Sequence, residues 1–135
     1  MNSLIVPKKL NPGDTVAFIS VSGGRAGDED MLPRYLTGKR RFEKAFGVKV
    51  IETPNALKGS SFLYEHPEKR AEDLMWALKN ETVQGIICNQ GGDDSYRVLP
   101  FIPIWRCYCY RPFRRFLSLS SFSTALRHII AQLPH

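Results

Sequence analysis

The chain has 135 residues, 43% apolar and 24% charged, which suits one soluble globular domain with a real core and argues against disorder in its first hundred residues. No apolar run approaches the roughly 18 to 20 residues that span a bilayer, and Met1–Lys9 lacks a basic stretch followed by a long apolar one, so the expected location is cytoplasmic with no membrane partner. The net charge of +6 is no general attraction to polyanions: residues 1–102 hold 14 Lys and Arg against 13 Asp and Glu, and the excess sits in Arg106, Arg111, Arg114, Arg115 and Arg127.

Thr15–Val21 is an apolar run between Pro12-Gly13-Asp14 and Gly23-Gly24 and predicts a buried first strand. Gly23 to Asp30 reads as loop. A helix is expected from Glu29 or Asp30 to Phe46, with Leu32, Tyr35, Leu36, Phe42 and Phe46 on one face and Gly47 as its stop. Gly38 weakens it. Val48–Thr53 alternates as a second strand that ends at Pro54. Asn55–Glu65 reads as a polar loop, and Pro67 opens a helix to about Asn80 that buries Ala71, Leu74, Ala77 and Leu78. A third strand, Val83–Asn89, runs into Gly91-Gly92, and a helix follows from roughly Asp94. Strands and helices alternating at these intervals imply a parallel sheet covered on both faces. Ligands bind such sheets beyond the carboxyl ends of the strands, and the Gly91-Gly92 turn, the Ser20–Gly24 loop and the region after Thr53 all lie on that edge.

Paired glycines accept positive φ and close approach, and free N–H groups there favour a developing negative charge, so Gly91-Gly92 suits a phosphate or an oxyanion. Without GxGxxG or GxxxxGK[ST] beside it, the turn also reads as a bare strand-to-helix connection. Cys88, Cys107 and Cys109 form neither a disulfide framework nor a CxxC pair, so no metal or cofactor is expected and Cys88 reads as a buried strand residue. Glu65, Glu68, Glu72 and Asp73 surround a helix start and read as a solvated acidic face. His66 reads as a solvated residue at the same helix start. Arg97 suits either a substrate carboxylate or a salt bridge.

Gly91-Gly92-Asp93-Asp94-Ser95-x-Arg97-x-Leu99-Pro100 resembles the first signature of the LD-carboxypeptidase family, especially its microcin C immunity branch. Pro7-x-x-Leu10-x-Pro12-Gly13-Asp14-x-Val16-Ala17-Phe18-Ile19-Ser20-x-Ser22 is similar to that family's opening strand. Pro67-x-x-Arg70-Ala71-x-Asp73-Leu74-x-x-Ala77-Leu78 is similar to the helix before its glycine turn. The resemblance implies that residues 1–102 are the N-terminal half of a two-domain serine hydrolase with a flavodoxin-like or Rossmann-like parallel sheet. It implies cleavage of an L,D-peptide bond, or of an acyl link in a peptide-nucleotide toxin, and it allows a homodimer in the intact family. Both reactions are acyl transfers, which need an activated hydroxyl, a base, a carboxylate behind the base and donors for the oxyanion.

The resemblance carries the oxyanion N–H to Gly92, gives Gly91 the shaping of the turn, and places Asp93, Asp94, Ser95 and Arg97 at the substrate. Ser95 or its neighbour Asp94 also suits a plain helix cap. The family's nucleophile lies in a Gly-Tyr/Phe-Ser-Asp elbow; Ser120 is the nearest equivalent, without the glycine and aspartate that let an elbow serine protrude. The base and its glutamate belong to a C-terminal domain beyond this chain, and none of His66, His128 and His135 falls in a matching motif. The chain by itself is therefore expected to be inactive. The alternative is a nucleotide- or phosphate-binding α/β module built on the Gly91-Gly92 turn.

Residues 103–135 contain no Lys, Asp, Glu or Gly, which ordinary usage would produce about once in ten thousand such segments. Their Trp105–Arg111 and Phe113–Phe116 clusters imitate a base-stacking surface, but nucleic acid is not the expected partner. A slipped reading frame after Ile102 explains the tail better. Arg-Arg-Phe written CGA AGA TTT becomes Pro-Lys-Ile when the preceding base is borrowed, and the family carries Pro-Lys before an apolar pair near this distance.

Overall fold

The computed structural model describes residues 9–89, 91–103 and 116–118. Its elements are β1 (Thr15–Ile19), α1 (Leu32–Phe46), β2 (Lys49–Glu52), α2 (Ser60–Glu65), α3 (Pro67–Lys79), β3 (Val83–Cys88) and β4 (Phe116–Ser118), with 3-10 turns at Arg25–Gly27 and Ser95–Phe101. The strands form one parallel sheet in the order β2-β1-β3-β4. That is the opening order of flavodoxin-like sheets, whose ligand crevice lies where neighbouring connections leave in opposite directions, here between β1 and β3.

β1 is apolar from Val16 to Ile19 because both of its faces are covered. Val16 and Phe18 face α1 with Val48 and Val50, against Tyr35 and Phe42. Ala17 and Ile19 face α3, packing with Leu74, Ala77, Val83, Ile86 and Cys88. The alternation is the period of two that a strand imposes, and each fully buried Val or Ile contributes about 1.5–3 kcal/mol. Leu99 and Ile102, from the turn after β3, close the α3 side of the core.

The strands and the two long helices fall where the periodicity places them, shorter by one to a few residues at their ends. Gly47, at φ 66°, ends α1 as expected, its N–H donating to the Glu43 carbonyl. Four expectations need correction. Leu36 and Phe46 are exposed, so the apolar face of α1 rests on Tyr35 and Phe42. Residues 60–65 form α2 inside the expected loop, because Asp28 accepts bonds from the Ser60 N–H (2.7 Å) and Oγ (2.8 Å) across 32 positions of chain. The segment from Asp94 is a 3-10 helix with Pro100 inside it, where the ring removes a donor that an α-helix needs. Asp73 is not on a solvated face: it is buried, accepting bonds from Thr53 Oγ1 (2.7 Å), Asn55 Nδ2 (2.7 Å) and the Asn55 N–H. Glu72, by contrast, pairs with Lys69 in solvent, and His66 pairs with Glu68 where α3 begins. Cys88 is buried, which pushes its thiol up to about 12. No helix among the described residues is long and apolar enough to cross a membrane.

Candidate functional site

The carboxyl ends of β1 and β3 lie side by side because the two strands pair through Ile19 and Cys88. The Asn89 N–H donates to the Ile19 carbonyl at 2.7 Å, and Asn89 Nδ2 donates to Ser20 Oγ at 3.0 Å. Ser20 in turn donates to the Ala56 carbonyl in the loop after β2. Beyond this clamp the chain turns at Ser22-Gly23 on one side and Gly91-Gly92 on the other, joined by a bond from the Gly23 N–H to the Gly91 carbonyl (3.0 Å).

Both glycines of the pair have positive φ, 125° at Gly91 and 82° at Gly92. They differ in what surrounds them. A Cβ on Gly91 would meet none of the described residues, whereas one on Gly92 would collide with the Gly23 backbone and Ser22 Oγ. Gly92 is thus required twice, by its backbone angle and by close approach. Among the described residues its N–H donates to no protein acceptor.

An open cleft of about 460 Å³ lies against this turn, with Ser22, Gly23, Gly92, Asp93 and Asp94 on one side and Ser60, Ser61, Tyr64 and Glu65 of α2 on the other. Arg70 forms part of its base. This guanidinium, fully buried, donates through Nη1 and Nη2 to the two oxygens of Asp94 (3.0 and 3.1 Å), through Nε to the Leu63 carbonyl (2.6 Å), and through Nη1 to the Val21 carbonyl (3.4 Å). Asp94 also accepts from Ser22 Oγ at 3.1 Å and Arg97 Nη1 at 3.3 Å. Burial works to raise the Asp94 carboxyl, but the bonds and charge of Arg70, with bonds from Ser22 and Arg97, hold it below the ordinary carboxylate range.

The structure brings Gly92, Asp93 and Asp94 to the cleft, while Gly91 stands in the turn beside them and is not part of the lining. The Asp94 side chain is turned to Arg70 and makes no cap to the helix that follows. Ser95 is fully buried beneath the turn. Arg97 pairs with Asp94 and lies over the Tyr64 ring at 4.5 Å from its centroid. Ser120 lies outside the described residues, as do His128 and His135, and the one described histidine, His66, is not among the residues that line the cleft. The sequence assigns no role to Arg70 or the α2 wall, whereas Ser22 and Gly23 lie in the Ser20–Gly24 loop expected at the ligand edge. A signal for Arg70 was present, since it stands four and seven residues before Leu74 and Ala77 in the apolar stripe of α3.

The family model for the LD-carboxypeptidase N-terminal domain matches residues 16–112, running past the expected boundary at 102. No curated protein matches the chain. Among solved structures, an MccF-like protein from Streptococcus pneumoniae in complex with AMP is 38% identical, with a TM-score of 0.62 over 66% of this chain and 26% of its own. An MccF-like protein from Bacillus anthracis is 25% identical, with a TM-score of 0.61 over 84% of this chain and 33% of its own. The microcin C7 self immunity protein MccF, 21% identical, shares the fold at a TM-score of 0.63 over 85% of this chain and 32% of its own. The chain therefore spans about a quarter to a third of these proteins. Its match over most of its length, on a sheet that carries the glycine turn at the β1–β3 crevice, makes this chain a member of the LD-carboxypeptidase family.

Proposed function

We propose that this domain supplies the oxyanion donor and part of the substrate cleft of a serine-type hydrolase that cleaves an acyl link in a peptide or peptidyl-nucleotide. The observation that carries the reading is the Gly92 N–H, unused among the described residues and held at the cleft by the contact of Gly92 with Ser22 and Gly23. A substrate carbonyl seated there receives that N–H as its oxygen gains charge, and removing one such donor costs about 3 kcal/mol of transition-state stabilisation in enzymes that use one. Family membership supports the reaction class. Complexes of similar proteins with AMP and with glutamyl sulfamoyl guanosine support a nucleotide-bearing substrate.

The alternative, a phosphate seated on the glycine turn, is disfavoured by charge. Arg70 is already paired with Asp94, while Glu65 and Asp93 add two further carboxylates to the lining. A neutral carbonyl suits that lining better than a phosphate dianion.

Within residues 1–135 we assign neither a base nor its carboxylate, so the chain by itself binds substrate without turning it over. The test is to titrate it with an L,D-tetrapeptide and with aspartyl sulfamoyl adenosine, then to assay hydrolysis and labelling by serine-directed probes. Binding without turnover or labelling is expected. Failure to bind either compound sinks the substrate assignment, binding of inorganic phosphate alone favours the alternative, and turnover abolished by Ser120→Ala places a working nucleophile in the tail.

A further inference from the structure

We infer that Arg70 is a positioning residue that sets the geometry of the glycine turn through Asp94. A fully buried guanidinium is expensive unless its donors are satisfied, and here it reaches acceptors in three separate pieces of chain. Nε holds the Leu63 carbonyl of α2, the cleft's far wall. Nη1 reaches the Val21 carbonyl beside Ser22-Gly23, and Nη1 and Nη2 grip Asp94, two residues after Gly92. Asp94 then takes the Ser22 hydroxyl, closing a ring from α3 through Asp94 to the loop against which Gly92 is packed.

The planar fork is what makes this possible. Lysine, a point charge with no Nε donor, cannot hold the Leu63 carbonyl and both Asp94 oxygens in fixed directions. Arg70 touches neither a reacting atom nor the Gly92 N–H. It fixes where that N–H stands, relative to both the Ser22-Gly23 loop and the α2 wall. The consequence for substrate rests on the function proposed above, whereas the geometry does not.

The test uses the 135-residue chain, with Arg70→Lys and Asp94→Asn compared by amide NMR and hydrogen exchange. We expect the Gly23, Gly91 and Gly92 resonances to move in both variants while Gly13 and Gly47, remote from the ring, stay in place. The Gly23 amide, which donates to Gly91, should exchange at least about tenfold faster, while amides in the centres of β1 and β3 keep their protection. Unchanged glycine resonances in a folded variant overturn the inference, and so do changes spread equally to Gly13 and Gly47, which mark a merely structural arginine. If Arg70→Lys does not fold, Asp94→Asn decides by the same signals. Titration with aspartyl sulfamoyl adenosine separates the two readings: if the parent chain does not bind it, the substrate assignment fails while the glycine signals still judge Arg70.

Discussion

Arg70 and Asp94 form a forked ion pair, with bonds of 3.0 and 3.1 Å, whose arginine end is fully buried and whose aspartate end borders the cleft. Removing one partner of a buried pair strands the other, at about 3–5 kcal/mol, and the part-exposed Asp94 places its loss at the lower end. We expect Asp94→Ala to destabilise the chain by about 3 kcal/mol in urea unfolding at neutral pH.

The same pair gives a pH dependence of known sign. Because the folded Asp94 carboxyl lies below its ordinary value near 3.8, the stability it contributes is fully present above that value and is lost as pH falls through the lower, folded one. The stability difference between the parent chain and Asp94→Asn should therefore narrow between neutral pH and about pH 3. A difference that widens in acid would contradict the assignment of Asp94 as an ionised partner of Arg70.

Gly91 and Gly92 should respond unequally to alanine. Gly91→Ala meets only the strain of positive φ, about 1–2 kcal/mol, since no described residue lies within 4 Å of the added carbon. Gly92→Ala adds a collision with the Gly23 backbone and Ser22 Oγ, so it should cost at least about 3 kcal/mol and abolish ligand binding. Equal denaturation midpoints for the two variants would show that the packing of the Ser22-Gly23 loop onto Gly92 is not what holds the turn.

Much of this architecture is legible along the chain because local patterns and tertiary packing agree. β1, β2, β3 and α3 turn inward most of the residues that their periodicity marks, α1 does so only through Tyr35 and Phe42, and Gly91-Gly92 stands where a strand end demands positive φ. What escapes is set by distant partners. α2 begins on Asp28, and a polar Gly59-Ser60-Ser61 gives no local sign of that bond. Asp73 looks like one acid among several until Thr53 and Asn55, 18 to 20 residues earlier, close over it. Arg70 is buried because three carbonyl or carboxylate acceptors converge on it, a fact of topology and not of helix pattern.

Asp73 should behave in the opposite sense to Asp94. Burial raises its carboxyl above the ordinary range despite bonds from Thr53 and Asn55, so ionisation in the folded state is disfavoured and stability declines as pH rises through its folded value. Asp73→Ala should cost about 2–4 kcal/mol by leaving the Thr53 and Asn55 donors unpaired. The loss should be larger at about pH 3 than at pH 7, and urea unfolding at the two values measures it.

The tail makes the last prediction, at the level of the gene. Phe116–Ser118 pairs parallel with Gly85–Ile87 of β3, so the backbone there adds a fourth strand to the sheet while residues 103–135 lack Lys, Asp, Glu and Gly. A slipped frame reconciles the two, since Arg114-Arg115-Phe116 read one base earlier yields Pro-Lys and an apolar residue entering that strand. Restoring the frame by one nucleotide after Ile102 should then reveal Pro-Lys, a Gly-Tyr/Phe-Ser-Asp elbow and, further on, the Glu and His that acyl transfer needs. A second compensating slip is compatible with this, because the correspondence fades after Leu117. Sequencing the gene across codons 100 to 120 and beyond decides the matter. An open shifted frame without those motifs would mean that the tail is the protein's own, and Ser120 would then have to be tested as a nucleophile in its native surroundings.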